Sequence, residues 1–153
     1  MKYHVYTDGG CDPNPGFGSY SYIALSEGHT EVIERFVDSE KETTNNRMEM
    51  KAIIAAFEFF ESVGCDDGTI YSDSSLCVNI YNSWMQKWFS SKDQCKLKNK
   101  KNLDLVHLFY ENKMRFPGVK LKWIKGHSGH KWNNEADRLC SEEIERYYQS
   151  LEF

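Results

Sequence analysis

The chain has 153 residues, of which 40% are hydrophobic and 27% charged, and it carries a formal net charge of -4. That composition excludes a disordered or collagen-like polypeptide, and the absence of any apolar run near ~18 residues excludes a membrane-spanning helix. The length is that of one domain, residues 1–153, able to bury a core without metal or disulfide staples.

Taken in chain order, alternation over residues 2–8 predicts a first strand, and PNPGFG at 13–18 is dense in turn residues. Residues 19–25 and 29–37 predict two further strands around a tight reversal at Glu27-Gly28, giving an antiparallel meander. A helix follows from Asn46 to Val63, stopped by Gly64. Residues 68–74 read as a short strand, Leu76 to Phe89 as a helix, and Asn102 to Met114 as another that ends before Pro117-Gly118. Residues 119–126 alternate as a last strand, and Asn134 to Gln149 make the final helix. The order βββ-α-β-α-α-β-α predicts an α/β fold, a five-stranded mixed sheet whose later strands run parallel through right-handed crossovers.

Cysteine and charge usage narrow the setting. Cys11, Cys65, Cys77, Cys95 and Cys140 are odd in number and never paired as CxxC, which argues for reduced thiols. The N-terminus enters the strand pattern without the apolar region of a signal peptide, so the expected compartment is the cytoplasm. Charge is unevenly spread. Residues 84–101 hold six lysines and one aspartate, a net +5, so the other 135 residues carry -9.

The first helix contains an oddity. Ala52, Ile53, Phe57 and Phe60 lie three, four, eight and eleven positions after Glu49, the spacing of a buried stripe, so a carboxylate begins the apolar face. Burying an unpaired charge costs several kcal/mol (order of magnitude), which calls for a partner. Three other acids share the puzzle: Asp8 at the end of the first strand before Gly9-Gly10, Asp73 at the end of the fourth, and Asp137 on the last helix with Cys140 and Ile144 three and seven positions on. Each alone reads as a cap or ion-pair member. Together, hard oxygen ligands without Cys or His partners would suit Mg²⁺.

The strings YTDGGCDPNPGFGSY, TTNNRMEMKAIIAAFE, YSDSSLCVNIYNSW and IKGHSGHKWNNEAD, in this order over residues 6–137, resemble the four signature blocks of type 1 ribonuclease H, the bacterial, single-domain kind with a basic protrusion. The resemblance implies the ribonuclease H-like fold and endonucleolytic hydrolysis of the RNA strand of an RNA–DNA hybrid, giving 5′-phosphate and 3′-hydroxyl ends. It implies that Asp8, Glu49, Asp73 and Asp137 are metal-binding and catalytic carboxylates, and that His127 is a mobile catalytic histidine. Two Mg²⁺ ions about 3.5–4 Å apart, with Mn²⁺ as a substitute, would straddle the scissile phosphate.

By the same resemblance, Asn14, Asn45 and Asn46, with Cys11 and Thr44 beside them, are expected at the minor groove, where the 2′-OH separates RNA from DNA. Turn and N-cap chemistry is the plainer account of the asparagines. Trp84, Lys87, Trp88, Lys96, Lys98, Lys100 and Lys101 look like the family's basic handle, and packing or a solvated face is the plainer account there. Many relatives place a glutamine where this chain has Ser75. Neither the hybrid-binding domain of many eukaryotic relatives nor an attached polymerase is expected, and the expected state is a monomer without an obligate protein partner. Two rival functions are a DNA strand-transfer or junction-cleaving enzyme on the same fold, and a hybrid-binding protein without catalysis.

Overall fold

Five strands form one sheet in the order β3-β2-β1-β4-β5 in the computed structural model, which describes residues 1–90, 101–126 and 129–151. β1 (Tyr3–Cys11), β2 (Gly16–Leu25) and β3 (Val32–Thr43) are antiparallel neighbours. β4 (Gly68–Ser72) runs parallel to β1, and β5 (Val119–Trp123) parallel to β4. The helices are α1 (Asn45–Ser62), α2 (Ser75–Asn79), α3 (Met85–Ser90), α4 (Leu103–Arg115) and α5 (Lys131–Ser150). The predicted mixed sheet and its direction change are as expected.

Several boundaries differ for physical reasons. β1 runs on to Cys11, so Asp8 lies within the strand, opposite Ser21, rather than closing it. Small residues allow this: Gly9, Gly10 and Cys11 pair with Tyr20, Ser19 and Gly18 without the alternation that marks a strand in sequence. The reversal after β2 is wider than Glu27-Gly28, closed by Ser26 N donating to Glu31 O at 2.9 Å with His29 at φ 59°. β3 extends to Thr43, and its charged stretch is tolerated because this edge strand is only partly covered, with Ile33, Glu34 and Arg35 exposed in succession. The helix expected over 76–89 is interrupted by a π-helical turn at Ile80–Trp84 that separates α2 from α3.

The larger core lies on one face of the sheet. α1 buries Ile53, Phe57 and Phe60, α4 buries Leu105 and Phe109, and these meet Val5, Ile70 and Leu121 of the strands. Each fully buried aromatic or branched side chain of this kind stabilises by about 1.5–3 kcal/mol. α5 covers the other face, where Ala136 packs with Tyr6, Ile23 and Leu25. Polar contacts seat that helix as well: Ser21 Oγ donates to Ala136 O at 2.7 Å and Ser19 Oγ to Cys140 O at 2.9 Å. Both bonds are buried, and they flank Asp137. Among the described residues, no helix is long and apolar enough to cross a membrane.

Candidate active site

Glu49 is aimed by the way α1 begins. β3 ends at Thr43 and Thr44 caps the helix at once, its side chain accepting from Arg47 N at 3.3 Å, so the first turn of α1 rests on β1. The contact is close enough to need glycine. A Cβ on Gly9 would lie 2.3 Å from Met48 C and 2.4 Å from Glu49 N. Across this contact Gly9 N donates to Glu49 Oε1 at 2.7 Å. Glu49 Oε2 is buried and has no hydrogen-bond partner among the described residues.

Asp8 points from the middle of β1 with only 6% of the residue exposed. Asp73 follows the end of β4, immediately before Ser74, which caps α2 by accepting from Cys77 N at 3.2 Å. Trp123 Nε1 donates to the backbone oxygen of Asp73 at 3.1 Å. One carboxylate oxygen from each of Asp8, Glu49 and Asp73 lies within 4.8 Å of the others. Asp137, half-buried on α5, faces Asp8, whose carboxyl donates to it when protonated and is repelled by it when ionised.

The electrostatics follow from this crowding. Burial, then the charges of Asp73 and Asp137, push the Asp8 carboxyl up to about 8. Burial, then Asp8 and Asp73, raise Glu49 well above the usual carboxylate range, and the Gly9 amide offsets only part of that. These acids therefore resist ionising together without a cation. The donors are hard oxygens, one of them buried and unpartnered, and the cluster can hold a divalent metal ion.

Other expected site residues gather where the β1–β2 turn meets the start of α1. Cys11, half-buried, donates its thiol to Pro13 O at 3.1 Å and Thr43 O at 3.4 Å. Asn14 is exposed and its Oδ1 accepts from Asn45 N at 3.2 Å, so the β1–β2 turn meets the start of α1. Asn45 and Asn46 are exposed there, next to Thr44. An open cleft of about 530 Å³ is lined by Pro15, Gly16, Glu42, Thr43, Thr44 and Arg47.

The basic region is described in part. Trp84 is 37% exposed, Trp88 packs partly on the core, their rings lie 6.3 Å apart, and Lys87 and Lys101 are exposed. Lys96, Lys98 and Lys100 lie outside the described residues, as does His127. Gly126 is described, and a Cβ there would lie 2.8 Å from Asp73 Oδ2, so the chain after β5 passes against that acid.

Three contributors have roles that the sequence does not assign. Gly9 follows Asp8 in the first strand with nothing to name Glu49 as its partner, and Trp123 is one residue of an alternating strand. Arg47, within NNRMEM, makes a two-pronged pair with Asp104 at 3.0 and 2.8 Å and donates to Asn102 Oδ1 at 3.2 Å, tying the start of α1 to the return of the basic segment.

A family model described as RNase H matches residues 1–145. The chain is similar to Ribonuclease H of Acetivibrio thermocellus, 36% identical over 148 residues covering 95% of this chain and 96% of that one. It is similar to Ribonuclease HI of Campylobacter jejuni, 37% identical over 143 residues covering 93% and 91%. In fold it resembles LC11-RNase H1, solved in complex with an RNA/DNA hybrid, with a TM-score of 0.74 at 24% identity over 95% and 99% of the two chains. With the family model spanning almost all of the sequence and curated relatives above one third identity along nearly their whole length, the chain belongs to the ribonuclease H family.

Proposed function

We propose that this chain, acting as a single-domain monomer, hydrolyses the RNA strand of RNA–DNA hybrids endonucleolytically, leaving 5′-phosphate and 3′-hydroxyl ends. The observation that carries the reading is the convergence of Asp8, Glu49 and Asp73 within 4.8 Å, in a member of the ribonuclease H family. The fold neighbour bound to an RNA/DNA hybrid supports the substrate class.

In this reading Asp8, Glu49, Asp73 and Asp137 hold the catalytic cations. When bound, two Mg²⁺ ions, with Mn²⁺ as the substitute, supply the Lewis acidity that activates water and neutralises the departing 3′ oxygen. Glu49 is held for that task by the Gly9 amide, and Asp73 by the Trp123 indole on its backbone oxygen. His127 assists by moving a proton and holds no ion. Asn14, Asn45 and Asn46, beside Cys11 and Thr44, read the sugar edge of the minor groove, where a 2′-OH distinguishes the RNA strand. Trp84, Trp88, Lys87, Lys96, Lys98, Lys100 and Lys101 bind backbone phosphates, which positions the hybrid without reading its sequence.

End-labelled hybrid, duplex DNA and duplex RNA incubated with enzyme and Mg²⁺ test the proposal directly. The expected result is endonucleolytic cutting of the RNA strand of the hybrid alone, and binding without cutting in Ca²⁺. Cutting of the DNA duplex would favour a strand-transfer or junction enzyme, and hybrid binding without cutting in Mg²⁺ would favour a non-catalytic binder.

A further inference from the structure

α5 continues past Asp137 to Ser150, and its last turns reach the β1–β2 turn. Tyr147 lies flat on Phe17, ring centroids 3.8 Å apart and planes at 9°. Tyr148 stands edge-on to Phe17 at 6.4 Å and donates its hydroxyl to the backbone oxygen of Asp12. Both tyrosines lie beyond residue 145, where the match to the family model ends.

We propose that Tyr147 and Tyr148 are positioning residues for the hybrid: they clamp the turn at residues 12–15, and with it Asn14, against the start of α1. The inference rests on the reading of Asn14 as a groove contact. Asp12, Pro13, Asn14 and Pro15 are all exposed, so the turn has little packing of its own. Toward α1 it is held by the Asn14–Asn45 bond at 3.2 Å and, through Cys11, by Thr43 O at 3.4 Å. Its stem is closed by Asp12 N donating to Phe17 O at 2.9 Å. The tyrosines supply the hold from the other side. Phe17 is only 6% exposed although it borders an exposed turn, and the Tyr147 ring covers its face. Tyr148 takes the Asp12 carbonyl, so stem and turn are gripped at once.

The link to binding is a population argument. If the turn samples arrangements in which Asn14 cannot reach the groove, the apparent affinity falls by the fraction of molecules that remain competent. The four acids are untouched, so the chemical step keeps its rate. Losing one ring contact and one hydrogen bond of this kind shifts such an equilibrium about three- to tenfold, and that factor is the upper limit of the rise in KM.

The test compares wild type, Tyr147→Leu, Tyr148→Phe, the Tyr147→Leu/Tyr148→Phe double variant, Tyr147→Phe and Asn14→Ala, each alone and the double variant also combined with Asn14→Ala. Steady-state cleavage of a hybrid in Mg²⁺ is measured well below each variant's Tm, with hydrogen exchange over residues 9–18 as a substrate-free readout. The expected result is a KM raised in the double variant by up to about tenfold with kcat within about twofold, faster exchange over the turn, and recovery of KM in Tyr147→Phe, which keeps the ring. In the Asn14→Ala background the tyrosine changes should add almost nothing to KM, because the same contact is already gone. An unchanged KM in the double variant beside a raised KM in Asn14→Ala overturns the role of the tyrosines alone, and so does an additive effect. An unchanged KM in Asn14→Ala overturns the groove reading, and this inference with it.

Discussion

Glu49 accepts the Gly9 amide at 2.7 Å through Oε1 and keeps Oε2 buried with no hydrogen-bond partner among the described residues. That division gives one oxygen to the fold and leaves the other to whatever the acids hold. Glu49→Gln keeps the shape and the bond to Gly9 but removes the charge. The expected outcome is loss of detectable hybrid cleavage together with a more heat-stable metal-free protein. Relief of repulsion worth at least about 1 kcal/mol corresponds to a rise of about 2–4 °C in Tm. Asp8→Asn and Asp73→Asn should behave alike. Near-normal turnover in any of the three, measured beside its melting curve, would remove that acid from the proposed site.

The same crowding makes metal-free stability depend on pH in a stated direction. Asp8 holds its proton up to about 8 in the folded protein, whereas in the unfolded chain it loses it near 4 (order of magnitude). The folded state therefore binds more protons between these values, and the stabilisation is full below the lower one and lost as pH rises through the upper one. Glu49 acts in the same sense. Asp104 and Glu135, held low by hydrogen bonds from Arg47 and Arg138, work in the opposite sense at acid pH. Subtracting the Asp8→Asn curve isolates the site: wild type should lose stability relative to the variant from pH 4 to 8 in a chelator, at up to about 1.4 kcal/mol per pH unit for each proton. Saturating Mg²⁺ should flatten the difference, and a difference flat without metal would contradict the clustering.

How far the sequence could be read depended on whether the signal was periodic or tertiary. The stripe of Ile53, Phe57 and Phe60 gave α1 and the inward aim of Glu49, because helical periodicity is local. The charged half of β3 showed no such signal, since an edge strand is held by backbone pairing and its side chains are free to be polar. Asp8 reads as a strand end in sequence because the alternation stops at Gly9-Gly10, glycines that let another backbone come close without saying which. Their real partner, the first turn of α1, is 40 positions away in the Gly9–Glu49 contact and invisible to any local pattern. Tyr147 and Tyr148 carried no motif, and only the fold brings them to Asp12 and Phe17.

The seating of α5 yields a prediction of its own. Ser21 stands opposite Asp8 in the β1–β2 ladder, donates to Ala136 O at 2.7 Å and accepts from the Cys140 thiol at 3.2 Å. It therefore sets how closely Asp137 approaches Asp8. Ser21→Ala removes the hydroxyl from a fully buried position, at a cost of about 1–2 kcal/mol, or several degrees of Tm. The Mg²⁺ concentration for half-maximal cleavage should rise as well, because the helix that carries Asp137 loses two of its buried contacts with β2. Lower Tm with an unchanged Mg²⁺ dependence would mean that Asp137 is placed by other contacts or holds no ion.

The basic segment should govern affinity rather than chemistry. Residues 84–101 carry a net +5 in a chain whose total is -4, and Lys87 and Lys101, at either end of it, are exposed. Lysines that neutralise phosphates release counterions, so each true contact adds about 0.7 to 0.9 to the slope of binding against salt. Lys96, Lys98, Lys100 and Lys101 replaced together by alanine should raise KM and flatten its salt dependence, with kcat almost unchanged, since what is lost is binding common to substrate and transition state. Net charge alone cannot produce that pattern. A control that neutralises Lys41, Lys120 and Lys122, exposed on β3 and β5, changes total charge without touching the segment and should leave the slope near wild type. If the quadruple variant keeps the wild-type KM and slope at physiological salt, the segment is a solvated surface and the phosphates are held elsewhere.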